Sequence, residues 1–212
     1  MQDFEFPVEN GRLQILQTRN AKRTPWAALK IAVDMVREKR ITPAEALRRL
    51  DGLPLDKIER LRISPRAEAV LLATAVPASL GVATGEIVFC SKRAVERRGQ
   101  GRKVILIRED IATEDIEGLA AADGVLTATG GRTSHAAVVA RQLGKVCLVG
   151  CTSLRIDPSQ EHCMLGQEHL REGENVTLDG DQGRIYRGQL SVIHERPEYE
   201  LVEVTAWRRQ PS

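Results

Sequence analysis

Aromatic side chains make up only 3% of the 212 residues, too few to build the stacking platforms on which single-stranded nucleic acid is bound. No apolar run approaches the ~18 residues that a membrane-spanning helix needs, which excludes a membrane-spanning helix, and no membrane partner is expected. Cysteine is scarce as well: Cys90, Cys147, Cys151 and Cys163 fall far below the density of a disulfide scaffold. The N-terminus, with Asp3 and Glu5, lacks the basic-then-apolar pattern of a secretory signal, so a reducing, cytoplasmic setting is expected. Net charge is only +2, and the basic surplus is local, since residues 1–62 hold thirteen Lys/Arg against nine Asp/Glu. What is present is 42% hydrophobic and 28% charged residues, the composition of a globular chain long enough to bury a core without a covalent staple.

The first twenty residues read as a hairpin. Phe4, Phe6 and Val8 alternate with polar positions, Asn10-Gly11 supplies a turn, and Leu13, Ile15 and Leu16 resume. Thr24-Pro25 and Thr42-Pro43-Ala44-Glu45 are caps followed by first-turn prolines, each before an apolar periodic stretch, so residues 24–62 are expected to be helical with breaks near Arg40 and Gly52. After Pro65 the texture changes. Short β-type runs at 81–89, 103–107, 124–127 and 145–149 alternate with helical patterns, among them one opened by Thr113-Glu114-Asp115 and one opened by Ser134. Strands alternating with helices predict an α/β layer fold. Val176-Thr177-Leu178, a turn at 179–183 and Arg184-Ile185-Tyr186 form a closing hairpin.

One stretch carries chemistry. A strand ending at Thr127 leads into Gly130-Gly131-Arg132-Thr133-Ser134-His135 and then into a helix whose Ala136, Val139, Ala140 and Leu143 share one face. The free amides and positive dipole of a helix N-terminus attract an anion, and glycines let backbone amides approach a phosphate closely. Neutral imidazole, with an intrinsic pKa of about 6.5, is a competent nucleophile near neutral pH. Phosphoryl transfer asks a protein mainly for positioning and charge stabilisation, which Arg132, Thr133 and Ser134 can supply. The same residues also describe an ordinary tight turn with an N-cap and a surface histidine.

The run from Gly130 to Arg141 (Gly-Gly-Arg-Thr-Ser-His-Ala-Ala-Val-Val-Ala-Arg) resembles the phosphohistidine signature of the phosphoenolpyruvate-utilising enzymes. Upstream, Pro77-Ala78-Ser79-Leu80-Gly81-Val82-Ala83-Thr84-Gly85 is similar to the glycine-rich entry of the same domain, and 113–118 to its acidic helix. Met1-Gln2-Asp3-Phe4-Glu5-Phe6 and residues 16–24 resemble the end of the nucleotide-binding domain in the pyruvate phosphate dikinase branch, and the likeness extends to Leu178-Asp179-Gly180.

That resemblance implies a swivelling β/β/α phosphohistidine domain at 64–190. It is preceded by a remnant of an ATP-grasp domain at 1–23 and a helical linker at 24–63, and followed by a tail at 191–212 leading to an absent phosphoenolpyruvate/pyruvate barrel. The implied function is phosphoryl carriage between ATP and pyruvate through phospho-His135, with Gly130, Gly131, Arg132, Thr133 and Ser134 supporting the phosphate. Thr133 matches the position that a regulatory threonine kinase modifies. Glu5 and Gln17 match residues by the ATP phosphates and Mg²⁺, and Arg19 one near the phosphates. In this chain the three are expected to face water, with Mg²⁺ belonging to the complete enzyme and none bound here. The ATP-grasp domain and the barrel are the implied partners, in cis or on separate chains, and without them the full reaction is not expected. Two residues depart from the pattern: Leu80 stands where the family usually has proline, and Arg132 where the dikinases usually have methionine and related synthases have arginine.

A non-catalytic regulatory module could keep the same fold, and a phosphoenolpyruvate synthase-like carrier would share the histidine. Cys147 and Cys151 with His162, Cys163 and His169 invite zinc, but the spacing is not a standard one and Cys147 lies in an apolar run, so no metal is expected. His194 likewise has no partner pattern. Arg37, Lys39, Arg40, Arg48 and Arg49 suggest a DNA-binding helix pair, yet Asp34, Glu38 and Glu45 interrupt that face and no nucleic-acid partner is expected.

Overall fold

The computed structural model describes residues 2–21, 23–157, 159 and 161–209. Met1 and Lys22 of the two N-terminal stretches quoted above, and 210–212 of the expected tail, lie outside the described residues. The chain divides into two compact units: one holds the residues up to Glu59 and from Arg196 onward, the other Arg60–Glu195.

The N-terminal hairpin forms as its pattern predicts. Strand β1 (Gln2–Glu5) pairs antiparallel with β4 (Gln17–Asn20), and between them β2 (Val8–Glu9) pairs with β3 (Arg12–Leu13). Asn10 and Gly11 turn the chain with positive φ of 50° and 73°, the pair of left-handed residues that a tight hairpin demands. Helix α1 (Pro25–Arg37) is capped by Thr24, whose Oγ1 accepts from the Ala27 amide at 3.2 Å. Helix α2 (Pro43–Arg49) is capped by Thr42 in the same way, from the Glu45 amide at 3.2 Å. Positive φ at Lys39 and Gly52 marks the two expected breaks.

Helix does not continue through residue 62. After a single 3-10 turn at Leu55–Lys57, the chain extends as β5 (Arg60–Ile63), which opens the second unit by pairing with residues 192–195. Glu195 accepts from Arg60 Nε at 2.6 Å and from Arg62 Nη1 at 2.8 Å across that pair. A partner so distant in sequence leaves no local signal.

The second unit continues through β6 (Leu71–Thr74), β7 (Val76–Ser79), β8 (Val82–Val88), α3 (Ser91–Gly99) and β9 (Val104–Arg108). A 3-10 turn at Thr113–Asp115 then leads into α4 (Ile116–Ala121), β10 (Gly124–Thr127), α5 (His135–Gln142) and β11 (Val146–Val149). Five strands precede the close of the unit: β12 (Leu154–Ile156), β13 (His162–Leu165), β14 (Glu168–Arg171), β15 (Asn175–Asp179) and β16 (Arg184–Arg187); β17 (Val192–Glu195) ends it.

Eight strands form one mixed sheet in the order β6-β16-β15-β8-β9-β10-β11-β7. Strands β8, β9, β10 and β11 are parallel neighbours, which is why their runs are apolar on consecutive positions rather than alternating: both faces are covered. One face, with Val104, Leu106, Val125 and Cys147, packs under the helices through Ala94, Leu119, Ala136 and Ala140. The other, with Ile105, Ile107, Leu126 and Leu148, packs under the three-stranded sheet β12-β13-β14 through Leu154, Cys163, Leu165 and Leu170. Burying each of these leucines and isoleucines contributes about 1.5–3 kcal/mol.

Thr113-Glu114-Asp115 opens its helix by another route than a simple cap. The segment is a 3-10 turn, and Asp115 is turned inward to accept from Ser91 Oγ at 2.6 Å, Arg108 Nε at 3.3 Å and the Ala112 amide at 3.2 Å.

The stretch expected as a tail forms β17 and then α6 (Glu198–Arg209), which belongs to the first unit. Val204 and Trp207 of α6 share a core with Leu29 and Val33 of α1 and Ala46 of α2. Among the described residues no helix is long and apolar enough to cross a membrane.

Candidate functional site

The site is built where β10 ends. Its buried residues Val125 and Leu126 anchor the strand on both faces, and beyond Thr127 the backbone is still held by β9: the Ala128 amide donates to the Arg108 carbonyl at 3.1 Å and the Thr129 amide to Glu109 at 3.0 Å. Buried Thr127 donates its hydroxyl to the Thr129 carbonyl at 2.6 Å, and the Gly150 amide donates to the same oxygen at 3.0 Å. The chain then reverses at Gly130, whose φ of +93° is left-handed and whose missing side chain leaves room for Ser134; a Cβ there would lie 3.2 Å from the serine Oγ.

Ser134 closes the loop. Its amide donates to the Gly131 carbonyl at 2.9 Å, and its Oγ accepts from the Ala137 amide at 3.4 Å as the N-cap of α5. His135 is therefore the first helical residue. Ala136, Ala137 and Ala140 are buried against the sheet, while the imidazole of His135 is exposed. It stands at the carboxyl ends of the parallel strands, the edge where open α/β sheets place their ligands.

Two guanidinium groups border the loop. Arg132 Nε donates to the Pro77 carbonyl at 3.2 Å, and Arg141 donates to the carbonyls of Ala78 and Arg132, both at 2.9 Å. Both arginines bond neutral oxygens, and among the described residues neither forms an ion pair with a carboxylate. An exposed imidazole at a helix N-terminus, beside two cations whose charge is not cancelled, can take up and stabilise an anionic group.

Of the residues singled out from the sequence, Gly130, Gly131, Arg132, Thr133, Ser134 and His135 lie in this one loop, with Thr133 exposed beside His135. Leu80 is exposed just past the end of β7. Glu5, Gln17 and Arg19 belong to the first unit. Glu5 and Gln17 face each other across β1 and β4, all three are exposed, and Arg19 lies 3.7 Å from Asp3 and 3.9 Å from Glu5. Two contributors carry no role legible in the sequence: Arg141, visible only as the last residue of the quoted run, and Gly150, which follows β11 with nothing local to mark it.

The cysteines and histidines do not assemble. Cys147 lies in the core on the helix side of the large sheet, whereas Cys151 and Cys163 lie in the core on the other side. Burial pushes the thiols of Cys147 and Cys163 each up to about 12, against the thiolate form that a metal requires. His162 and His169 stack on one another with centroids 4.5 Å apart, and His162 faces Asp157 at 3.5 Å. The basic face of the helix pair is largely matched: Arg48 and Arg49 pair with Glu45, Arg40 pairs with Glu38, and Arg37 lies over the Tyr199 ring at 4.2 Å.

With that geometry in place, the comparison with known proteins is specific. Residues 100–183, which include the loop, match the family model described as PEP-utilising enzyme, mobile domain. This stretch is similar to a mobile domain of that family. Over almost its whole length the chain is also similar to pyruvate, phosphate dikinases. It is 44% identical to that of Rhizobium meliloti (strain 1021) over 207 residues, 98% of this chain and 23% of the relative. It is 41% identical to that of Giardia intestinalis over 207 residues (98% and 23%) and 41% identical to that of Clostridium symbiosum over 209 residues (98% and 24%). The chain thus spans about a quarter of the length of the curated relatives it matches.

Proposed function

We propose that the chain is the phosphoryl carrier of a pyruvate phosphate dikinase-like phosphotransferase, with His135 as the residue that is phosphorylated. The observation that carries this reading is the placement of His135: exposed, first in α5, and bordered by two arginines that among the described residues have no carboxylate partner, inside the stretch that matches the mobile domain. In the first half-reaction an imidazole nitrogen attacks the phosphoryl phosphorus, a nitrogen–phosphorus bond forms, and the bond to the donor oxygen breaks with its electron pair staying on that oxygen. In the second half-reaction an acceptor oxygen attacks the same phosphorus and the histidine is released. Arg132 and the first turn of α5 offset the negative charge that moves with the group.

A carrier serving two centres must move between them, so we read residues 64–190, which lie within the second compact unit, as the swivelling β/β/α body. Residues 1–23 then correspond to the end of an ATP-grasp domain, 24–63 to the linker, and 191–212 to the passage toward a phosphoenolpyruvate/pyruvate barrel, these partners acting in cis or on separate chains. We read Thr133 as a control point, because a phosphate on it would set negative charge beside the incoming group. A Mg²⁺ ion belongs with the nucleotide centre. Among the described residues no group of three or more His, Cys, Asp or Glu is arranged to hold a metal, and exposed Glu5 lies near Arg19, so no step is routed through an ion here.

The reading is tested by incubating the chain with phosphoenolpyruvate and the barrel domain of a pyruvate phosphate dikinase, then measuring intact mass. One acid-labile, alkali-stable phosphoryl group is expected, absent from His135→Ala. No adduct on a folded chain, with the barrel domain shown to be active, would refute it.

A further inference from the structure

Arg141 differs from the other arginines on the helices of its unit. Arg93 pairs with Glu172, Arg98 with Asp123, and Arg97 with Glu86. Arg141 instead spends its guanidinium on two backbone carbonyls from separate segments: Nη1 donates to Ala78 in β7, and Nη2 donates to Arg132 inside the loop, both at 2.9 Å. It stands in the last turn of α5, and long side chains on a helix lean toward its N-terminus, which carries the guanidinium back along the helix to the loop.

The loop needs such a hold. Gly130 is left-handed and bounded by Ser134 and by Gly150, but among the described residues nothing beyond its chain neighbours lies within 4 Å of where a Gly131 Cβ would be, so packing does not hold Gly131 in place. From Gly131 to the Ser134 cap, the hydrogen bonds that restrain the loop among the described residues are the Ser134–Gly131 backbone bond and those of the two arginines, with Arg132 reaching Pro77 at 3.2 Å. Both arginine contacts run to the same edge strand. A planar fork can span two acceptors at fixed separation, which a single ammonium point charge does less well.

We propose that Arg141 is a positioning residue for phosphoryl transfer, holding the 130–134 loop against β7 and thereby fixing where the His135 imidazole meets the phosphorus. The inference rests on the carrier reading above. In this role Arg141 acts through the Arg132 carbonyl and the backbone that leads to His135. Displacements of about 1 Å at a reacting centre are enough to cost on the order of a hundredfold in rate.

The test uses the full chain and the variants Arg141→Lys and Arg141→Met, with two readouts. Amide hydrogen exchange is expected to quicken at 131–135 in both variants while Val125, Leu126 and Leu148 keep their protection. In transfer from a phosphoenolpyruvate-charged dikinase barrel, kcat is expected to fall about tenfold or more with KM for the barrel within about twofold, because reach is lost and the docking surface is not. Wild-type exchange and kcat in both variants would overturn the proposal. Loss of protection across the whole sheet would overturn it too, since that marks a general structural role. If the wild-type chain accepts no phosphoryl group, the carrier reading fails together with the transfer part of this proposal. If the wild type transfers and the variants are indifferent, only the proposal fails.

Discussion

Gly150 packs so closely on Gly130 that a Cβ on Gly150 would lie 2.7 Å from the Gly130 carbonyl oxygen. The contact joins the end of β11 to the start of the candidate site, and the φ of +65° at Gly150 already disfavours a side chain. Gly150→Ala is therefore expected to lose about 1–3 kcal/mol and to shift the loop, slowing phosphoryl uptake. Gly173→Ala is the control: its φ is +87° but among the described residues nothing beyond its chain neighbours lies within 4 Å of the added carbon, so only the backbone cost of about 1 kcal/mol is expected, without change in uptake. Urea unfolding and a phosphorylation time course measure both.

Asp115 ties three segments together, taking bonds from Ser91, Arg108 and the Ala112 amide while itself buried. Asp115→Ala leaves these donors without their acceptor, and a loss of about 3–5 kcal/mol is expected in urea unfolding. A loss below about 1 kcal/mol would show that water replaces the carboxylate without penalty.

The buried thiols make stability depend on alkaline pH. Burial raises the Cys147 and Cys163 thiols from 9.0 in the unfolded reference to about 12. Below pH 9 both states are protonated and the contribution is complete. Between about 9 and 12 the unfolded chain releases protons that the folded chain keeps, so stability falls as pH rises, by up to about 1.4 kcal/mol per unit for each thiol. Cys147→Ala is expected to flatten the fall of unfolding free energy with pH over that window by about one thiol's share. An unchanged slope would contradict this.

Much of this architecture is legible locally, and the exceptions share a cause. The apolar runs of β9, β10 and β11, the Asn10-Gly11 turn, the 176–186 hairpin and the caps Thr24, Thr42 and Ser134 all depend on neighbouring residues, and all stand in the structure. Strands β5 and β17 are defined by each other across more than a hundred residues. Strands β12 to β14 turn His162, Met164, His169 and Arg171 outward, so only half their positions are apolar. Helix α3 buries little beyond Ala94, and its polar sequence gives no stripe. At the site, the loop from Gly130 to His135 announces itself in its own residues. The roles of Gly150 and Arg141 lie in contacts with the Gly130 and Ala78 carbonyls, and no spacing encodes those.

Charge at Thr133 tests the electrostatics of the loop. Thr133 is exposed beside His135, so Thr133→Glu is expected to slow phosphoryl uptake about tenfold or more, while Thr133→Gln, similar in size and neutral, stays within about threefold of wild type. The difference should shrink at high salt, because exposed charges are screened. Equal rates for the two variants would remove Thr133 as a control point.

The central claim is that the group on His135 is in transit. The chain is charged with labelled phosphate from phosphoenolpyruvate and a dikinase barrel, freed of donor, and returned to the barrel with pyruvate while the label is followed. The account predicts that the label leaves the histidine and appears in phosphoenolpyruvate, with none retained by the chain and none acquired by His135→Ala. Label that stays on the chain, or that sits in an acid-stable linkage on Thr133 or Ser134, would contradict it.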